Sequence, residues 1–258
     1  MAGRVYLVGA GPGDPELLTL KAVRLLAGSE VVLYDSLVSE EVLGLISQRA
    51  LRVNVGKRAG RKLLTQDEIN SLLVSYAKEE KCVVRLKGGD PLLFGRAGEE
   101  MAALRRAGIE FEVVPGISAA IGAAAAAKIS LTDRRVASQV LFTTFSRDEN
   151  DNWVNWAAIT RETTIAIYMP GTHYGQVAAR LMENGLAGEC PCVIVSHATR
   201  AGQQVRSMNL AALSDGDHLP APSLLLVGWV AAQDLRQWRE RFPAQPVAPK
   251  AEVHDLRS

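Results

Sequence analysis

Two glycine-rich segments, each at the end of a predicted strand, constrain the fold of this chain more than any other feature. Residues 8–15 read Val-Gly-Ala-Gly-Pro-Gly-Asp-Pro and follow an apolar run that begins at Val5. Residues 85–91 read Arg-Leu-Lys-Gly-Gly-Asp-Pro and follow a run that begins at Val83. Glycine lets the backbone approach a ligand closely, and an Asp-Pro pair is typical of a helix start. Because ligands of open α/β sheets bind at the carboxyl ends of strands, the two segments predict one ligand crevice.

A dinucleotide-binding loop is one interpretation of the first segment. That fingerprint, G-x-G-x-x-G, requires a third glycine, but Gly9 and Gly11 are followed by Asp14 at the third position. Pro12 also lacks a backbone N–H, and a carboxylate at Asp14 disfavours a pyrophosphate. Asp35, after the next strand, does resemble the ribose-binding acid of such folds. The mismatches disfavour a nucleotide cofactor; turns that only reverse the chain are a second alternative.

Length and composition bound the class of protein. The chain has 258 residues, enough for one large α/β domain or two of about 120 residues each. With 48% hydrophobic and 22% charged residues, it has the composition of a soluble globular protein with a full core. A net charge of +1 disfavours a general nucleic-acid binder. We therefore expect no nucleic-acid partner, and the predicted crevice indicates a small-molecule ligand.

Neither a membrane partner nor a metal is expected. The chain begins without a charged-then-apolar signal segment, and the alanine-rich residues 119–127 end at Lys128. Three cysteines suit a reducing compartment, which predicts a cytoplasmic location. Cys190 and Cys192 lack the second pair or histidine cluster that would complete a metal site. We expect both to pack in a strand.

Strands and helices alternate in the first half of the chain, which predicts a mostly parallel sheet. Thr65 and Glu68 are spaced as a capping box at the start of one helix. Pro115-Gly116 marks the boundary between an N-terminal domain, residues 1–115, and a C-terminal domain, residues 116–242. The predicted strands of this half are residues 4–9, 31–34, 51–55, 81–87 and 110–114, and its predicted helices are residues 15–27, 39–47, 65–78 and 98–107.

The second half predicts a mixed sheet, because a short helix joins the strands at residues 204–208 and 223–227. An alanine-rich helix after Gly116 has side chains small enough for close approach of backbone or of a flat ligand. Residues 243–258 lack periodicity and are predicted to be disordered. The predicted fold class is α/β, with two α/β domains and a cleft between them. The remaining predicted strands are residues 138–143, 163–168 and 192–196, and the remaining helices are residues 174–183 and 231–241.

Six motifs, taken in chain order, carry a family resemblance. They are Val-Gly-Ala-Gly-Pro-Gly-Asp-Pro (8–15), Leu-Leu-Thr-Leu-Lys-Ala (17–22), Tyr-Asp-Ser-Leu-Val-Ser (34–39), Val-Gly-Lys-Arg-Ala-Gly (55–60), Val-Arg-Leu-Lys-Gly-Gly-Asp-Pro-Leu-Leu-Phe-Gly-Arg (84–96) and Val-Val-Pro-Gly-Ile-Ser-Ala-Ala (113–120). Over about residues 3–240 the chain resembles the tetrapyrrole methylases. The motif at 34–39 and residues Gly56-Lys57-Arg58 resemble the subgroup that methylates uroporphyrinogen III. The Gly-Gly-Asp-Pro turn is shared more widely, with cobalamin-pathway methylases and diphthine synthases.

The resemblance implies that S-adenosylmethionine binds between the two domains and leaves as S-adenosylhomocysteine. Asp90 would accept hydrogen bonds from the ribose or the amino group, although a plain helix cap is the alternative. Met169 would contact the cofactor or serve as core filler. By position, the implied cofactor-binding residues are Pro12, Gly88, Gly89, Asp90, Leu93, Ser118, Ala119, Met169 and Ala198.

The implied reaction adds methyl groups to two pyrrole carbons of uroporphyrinogen III and gives precorrin-2, on the route to sirohaem, cobalamin or haem d1. Because this substrate carries eight carboxylates, cations are expected around it, and arginine suits them through bidentate pairing. The implied catalytic residues are Asp35 as the base, Lys57 as a proton donor or carboxylate clamp, and Arg96. The implied substrate-binding residues are Arg58, Arg134 and Glu99, which would orient Arg96 from one helical turn away.

Two departures from the family pattern leave alternatives open. Thr143-Thr144-Phe145 stands where relatives usually carry Thr-Gly-His, and residues 196–199 read Ser-His-Ala-Thr in place of Glu-Asn-Gly-Thr. His197 is a functional replacement or an ordinary histidine. The alternative functions are methylation of a later precorrin or of diphthine, and non-catalytic tetrapyrrole binding. The family further implies a homodimer, with a small-residue surface at residues 119–127 available for contact, and a separate precorrin-2 dehydrogenase as a downstream partner.

Overall fold

A parallel five-stranded sheet forms the N-terminal half of the protein. The structure, a computed structural model, describes residues 3–56, 64–79, 82–145 and 156–232. The five strands are β1 (Val5–Gly9), β2 (Val31–Tyr34), β3 (Leu51–Asn54), β4 (Val83–Lys87) and β5 (Phe111–Val114). They lie in the order β3-β2-β4-β1-β5 and every pair is parallel. The predicted parallel sheet is confirmed.

Helices cover both faces of this sheet, so its strands are apolar on both sides. The helices are α1 (Leu20–Gly28), α2 (Glu40–Leu43), α3 (Gln66–Lys78) and α4 (Ala97–Arg106). Leu7, Leu33 and Val83 pack on one face with residues of α3 and α4. Val32 and Leu86 pack on the other face with residues of α1 and α2. The period of two along each strand divides the core into these two layers.

The predicted helix start at Thr65 is confirmed, but the two predicted Asp-Pro starts are wrong. Thr65 Oγ1 accepts from the Glu68 amide at 3.2 Å, and Glu68 accepts from the Thr65 amide at 2.6 Å, which is a capping box. Asp14 caps only a single 3-10 turn, because Leu18 is extended, and α1 begins after Thr19. Asp90 likewise begins a turn and not a helix, since α4 starts at Ala97.

A mixed five-stranded sheet forms the C-terminal half, as predicted. Its strands are β6 (Gln139–Thr144), β7 (Thr163–Tyr168), β8 (Pro191–Ser196), β9 (Gln204–Asn209) and β10 (Ser223–Val227). They lie in the order β6-β7-β10-β8-β9, with only β6 and β7 parallel. Although β9 and β10 follow one another along the chain, β8 lies between them. Helix α5 (Ala119–Ala127) packs on one face and α6 (Tyr174–Glu183) on the other.

The alanine-rich helix α5 is used within the chain. Ala120, Ala123 and Ala124 are buried against β7, β8 and β10. A Cβ on Gly122 would lie 2.7 Å from the Pro12 ring, so the small residues do permit close approach of another segment. Most of the small-residue surface that we assigned to a subunit contact is therefore covered by the protein's own sheet. The dimer stays a prediction without a located interface.

Cys190 and Cys192 are buried beside and within β8, which confirms that they pack in the core. Burial raises the pKa of each thiol to about 12.

Several other predictions concern residues outside the described ranges: the basic residues Lys57 and Arg58, the helix at 231–241 beyond residue 232, and the tail at 243–258. The domain limits at residues 115 and 242 stay predictions.

Candidate functional site

The carboxyl ends of β1 and β4 meet at the edge of the N-terminal sheet. The amide of Gly11 donates to the carbonyl of Gly89 at 3.1 Å, and the amide of Gly89 donates to the carbonyl of Gly11 at 2.8 Å. From β1 the chain runs toward the β3 end of the sheet, where it forms β2. From β4 it runs in the opposite direction, to β5 at the other end of the sheet. The two glycine segments therefore meet at a topological switch point, where open α/β sheets bind ligands.

Close backbone packing explains the glycines of this edge. A Cβ on Gly9 would lie 2.6 Å from the Gly116 amide nitrogen, and a Cβ on Gly116 would lie 2.4 Å from the Gly89 carbonyl oxygen. Asp90 ties the same segments together, because its Oδ1 accepts from the Leu92 amide at 2.8 Å and its Oδ2 accepts from the Gly116 amide at 2.9 Å. Asp90 thus builds the turn that shapes the edge, and its role toward a cofactor stays a prediction.

Strained backbone concentrates around this edge and around the facing edge of the C-terminal sheet. Within the described ranges, six residues other than glycine have a left-handed φ: Phe94, Arg96, Lys128, Met169, His197 and Thr199. All except Lys128 follow the carboxyl ends of β4, β7 or β8. Non-glycine residues in this conformation cluster at functional sites, where the surrounding structure holds them. The observed strain therefore points to the cleft between the two edges.

Tyr168 joins the two halves across the cleft. Its ring lies 4.9 Å from the ring of Phe94, measured between centroids. Its hydroxyl forms a hydrogen bond with the hydroxyl of Ser118 and accepts from the Ala120 amide at 3.2 Å. Burial raises the pKa of Tyr168, so the hydroxyl stays protonated at neutral pH. Tyr168 thereby orients the start of α5, including the predicted cofactor residues Ser118 and Ala119.

The loop after β8 forms a second link between the halves. Arg200 donates from Nε to the carbonyl of Pro12 at 2.9 Å and from Nη2 to the carbonyl of Leu37. Thr199 Oγ1 accepts from the Asp14 amide at 3.2 Å. The loop that contains Ala198 is thereby held against the loop that contains Pro12, so two predicted cofactor residues from opposite halves come together.

Asp35 lies at the same edge, directly after β2, as predicted. A Cβ on Gly56 would lie 2.9 Å from the Asp35 carbonyl carbon, and a Cβ on Gly88 would lie 2.8 Å from Leu37 Cβ. The segments that contain Asp35, Gly56 and Gly88 therefore converge. The Asp35 carboxylate is partly exposed and accepts from Arg85 Nη2 at 2.5 Å.

Behind Asp35 lies a buried group of charges that sequence reasoning missed. Arg85 Nε and Lys87 Nζ donate to Glu100 Oε1 at 2.9 Å and 3.0 Å. Burial lowers the pKa of Arg85, but Asp35 and Glu100 outweigh it, so the net shift is upward. Burial and the neighbouring Arg85 lower the pKa of Lys87 despite its pairing with Glu100. The signal was present, since Arg85 and Lys87 are two residues apart and share one face of a buried strand.

The other predicted substrate-binding residues do not all lie near Asp35. Arg96 and Glu99 form an exposed bidentate pair at 2.7 Å and 2.9 Å, as their spacing predicts. Arg134 is exposed in the turn before β6, at the amino ends of β6 and β7. Met169 follows the carboxyl end of β7, so within one chain Arg134 lies at the opposite edge of the sheet.

Exposed apolar side chains line both sides of the cleft. Leu37 is 49% exposed, Leu92 61%, Phe94 42% and Met169 63%. Met169 is therefore not core filler. These four residues, drawn from three segments of the chain, form the kind of surface that a partly apolar ligand covers. Leu93 and Ala198, both predicted cofactor residues, are half-buried at the same edges.

The departures from the family pattern have a local explanation. Phe145 packs against the core of the C-terminal sheet, with its ring 6.4 Å from that of His173. His197 is half-buried, and its Nδ1 lies 2.8 Å from Ser196 Oγ.

Among the described residues, no three His, Cys, Asp or Glu side chains come together as a metal site. None of the helices in the described ranges has the length and hydropathy needed to cross a bilayer.

Comparison with known proteins identifies relatives in sequence. The profile of the Tetrapyrrole (Corrin/Porphyrin) Methylases matches residues 4–214. Siroheme synthase 1 of Yersinia enterocolitica is 46% identical over 251 residues, which are 96% of this chain and 53% of that protein. The chain therefore spans about half the length of the curated relatives it matches.

Solved structures show the same fold. Uroporphyrin-III C-methyltransferase from Thermus thermophilus, complexed with S-adenyl homocysteine, is 38% identical with a TM-score of 0.77, over 88% of this chain and 98% of that one. A cobalamin biosynthetic enzyme, cobalt precorrin-4 methyltransferase, is 29% identical with a TM-score of 0.79, over 89% of this chain and 96% of that one. Both similarities extend across the two sheets, and the predicted α/β architecture is confirmed.

Proposed function

Because the chain belongs to the tetrapyrrole (corrin/porphyrin) methylases, we propose that it transfers methyl groups from S-adenosylmethionine to two pyrrole carbons of uroporphyrinogen III, giving precorrin-2. The observation that carries this proposal is the similarity to the Thermus thermophilus uroporphyrin-III C-methyltransferase, which extends over 98% of that protein. Precorrin-2 would then enter sirohaem, cobalamin or haem d1 synthesis.

S-adenosylmethionine would bind in the cleft as the methyl donor. Pro12, Gly88, Gly89 and Leu93 would surround it from the N-terminal half, and Ser118, Ala119, Met169 and Ala198 from the C-terminal half. The exposed Met169 side chain and the Phe94 ring supply apolar surface for an adenosine. Asp90 uses each carboxylate oxygen once, for a backbone amide, so each oxygen keeps a lone pair for a ligand donor. The donor would supply an electrophilic methyl group on a sulfonium.

Arginine and lysine side chains would hold the carboxylates of the macrocycle. Arg96 is exposed on the N-terminal side of the cleft, and Glu99 fixes its guanidinium by two hydrogen bonds. Lys57 and Arg58 follow Gly56 directly in sequence, and Gly56 lies against Asp35. Arg134 remains a proposed substrate residue, although it lies at the far edge of its sheet.

Asp35 would act as the base that removes the proton after methyl transfer, or would hold a pyrrole N–H. Its carboxylate is at the sheet edge, where a substrate can reach it, and is 26% exposed. Arg85 holds one oxygen, Oδ1, which leaves the other for the substrate. Lys57 would donate a proton or clamp a carboxylate. Positioning and proton removal together are what a displacement at a sulfonium methyl requires of the protein.

We further propose that the protein acts in the cytoplasm as a homodimer and delivers precorrin-2 to a dehydrogenase. Its free cysteines, Cys82, Cys190 and Cys192, suit a reducing compartment. Light scattering tests the dimer, and a monomer at micromolar concentration would contradict it.

Anaerobic incubation of the purified protein with uroporphyrinogen III and S-adenosylmethionine tests the activity. Mass spectrometry is expected to show the addition of two methyl groups. A parallel incubation with a later precorrin tests the alternative that the similarity to the precorrin-4 enzyme suggests, and one with diphthine on its carrier protein tests the other. Tight binding of the macrocycle without methyl transfer would instead identify a non-catalytic tetrapyrrole carrier.

A further inference from the structure

A line of four charged side chains runs from the interior to the proposed reaction site. Glu100 Oε1 accepts from Lys87 at 3.0 Å and from Arg85 Nε at 2.9 Å. Arg85 Nη2 in turn donates to Asp35 Oδ1 at 2.5 Å. The Glu100 side chain is fully buried and those of Arg85 and Lys87 are 3% exposed, whereas Asp35 reaches solvent. Asp35 is thus the accessible end of a buried network.

Stability alone does not account for Glu100. Its second oxygen, Oε2, is buried and has no hydrogen-bond partner among the described residues. A buried carboxylate that is only half satisfied is costly. Apolar side chains in place of such an ion network are often neutral or stabilising. A network of this kind directly behind a proposed reactive carboxylate therefore points to a functional role.

The network leaves the Arg85 guanidinium a single orientation. Its Nη1 donates to the carbonyls of Leu33 at 3.5 Å and Leu86 at 3.2 Å. Its Nε is held by Glu100, so the remaining Nη2 is directed at Asp35. Without the negative charge of Glu100, Nε would keep at most a weaker, neutral acceptor, and Arg85 and Lys87 would be adjacent like charges. The guanidinium would then be held less firmly through Nε, and so would Asp35, which it holds through Nη2.

We infer that Glu100, supported by Lys87, is a positioning residue that holds Arg85 so that Asp35 presents its carboxylate to the substrate. This inference rests on the proposed function, because that function gives Asp35 its part in methyl transfer. Glu100 itself touches no substrate in this arrangement. Its effect is expected on turnover and not on methyl-donor binding.

Glu100→Gln tests the inference, with Leu104→Val as the matched control. Leu104 is fully buried in the same helix but carries no charge. We expect Glu100→Gln to lower kcat by up to about a hundredfold, the effect of a small misplacement of a reacting group, with the KM for S-adenosylmethionine near the wild-type value. Leu104→Val should lower the melting temperature and leave kcat unchanged. Wild-type kcat in Glu100→Gln would overturn the inference.

The double variant Glu100→Gln/Lys87→Met covers the case in which Glu100→Gln folds poorly. It removes one negative and one positive charge, so the remaining charges, those of Arg85 and Asp35, still neutralise each other. Stability should recover toward that of the wild type while kcat stays low, because Arg85 Nε still lacks its carboxylate. Recovery of kcat together with stability would show that Glu100 is only a stabilising residue.

A spectroscopic measurement separates this inference from the proposed function. In protein labelled with ¹³C at the aspartate carboxyls, the Asp35 signal is assigned by its loss in Asp35→Asn. The signal should shift in Glu100→Gln and stay in place in Leu104→Val. An unmoved signal in Glu100→Gln would overturn the inference whatever the activity. A shifted signal in a protein that methylates no tetrapyrrole would leave the positioning intact and refute the proposed function.

Discussion

Arg200 Nε donates to the carbonyl oxygen of Pro12 at 2.9 Å, across 188 residues of chain. The same guanidinium reaches the carbonyl of Leu37, so one side chain from the C-terminal half holds two loops of the N-terminal half. The two sheet edges that form the cleft are thereby joined by a side chain that no motif singled out.

Arg200→Met should weaken this junction. Two hydrogen bonds are lost, and at about 0.5–1.5 kcal/mol each the free energy of unfolding should fall by about 1–3 kcal/mol. S-adenosylmethionine should also bind more weakly, because Pro12 and Ala198 lose their fixed separation. Urea denaturation and calorimetry measure the two effects. Arg206→Met, at an exposed pair with Asp217, is the control; equal effects of both changes would contradict a special role for Arg200.

Gly89→Ala and Gly108→Ala form a matched pair for the cofactor site. Their φ angles are +68° and +67°, and an added Cβ would be 3.5 Å from its nearest neighbour at Gly89 and meet nothing within 4 Å at Gly108. Each change should therefore cost about 1–2 kcal/mol of stability through backbone strain. Only Gly89→Ala should weaken S-adenosylmethionine binding in calorimetry. Unchanged affinity with an intact fold would count against the placement of the cofactor.

Arg96→Ala should affect the substrate and not the methyl donor. Because the Arg96–Glu99 pair is exposed, its loss should change the melting temperature little. Loss of one charge-assisted contact to a macrocycle carboxylate should raise the substrate KM roughly ten- to a hundredfold. Steady-state kinetics with each reactant varied in turn measures this. A comparable loss of S-adenosylmethionine affinity would make Arg96 a folding residue, and Arg206→Ala is the control for an exposed pair.

Asp35→Asn should abolish most of the activity at little structural cost. The amide oxygen can still accept from Arg85, so the buried network should persist and the melting temperature should stay near that of the wild type. Removal of a general base typically slows a reaction about a hundred- to ten-thousandfold. Single-turnover methyl transfer measures the rate, with Asp215→Asn, in the C-terminal half, as the control. Wild-type turnover would reduce Asp35 to a strand-end residue held by Arg85.

The buried thiols should make stability fall at high pH. In the folded protein the pKa of Cys190 and Cys192 is raised to about 12 from an ordinary value of 9.0. The stabilisation that this shift provides is fully present below pH 9 and is lost as the pH rises from 9 toward 12, because the unfolded chain then releases protons that the folded one keeps. Urea denaturation across this range measures the loss.

Thiol labelling provides an independent measure of the same burial. At pH 8 a disulfide reagent should modify only the partly exposed Cys82 in the native protein, and all three cysteines after unfolding. The Cys82→Ser variant should show no native reaction. Rapid labelling of the native variant would show that Cys190 and Cys192 are accessible.

Local and periodic features of the sequence determined most of the fold. The apolar runs at Val31–Tyr34 and Thr163–Tyr168 became strands with the predicted bounds, and Thr65 with Glu68 formed the predicted capping box. The helix Tyr174–Glu183 also has its predicted bounds. Burial of an apolar face and capping of free amides act over a few residues, so the sequence alone specifies them. The helix start predicted at Asp14 was wrong because Leu18 adopts an extended backbone that propensity does not encode.

The sequence by itself also determined which segments meet, since glycine segments after parallel strands converge at one edge; tertiary structure decided which side chains face each other there. Arg85, Lys87 and Glu100 come together only when α4 packs over β4. Arg200 reaches Pro12 only when the two halves of the chain pack together, and the direction of β6 and β7 separates Arg134 from Met169. Charges from distant segments pair only where those segments pack together, and the spacing of residues along the chain does not give the distance between their side chains.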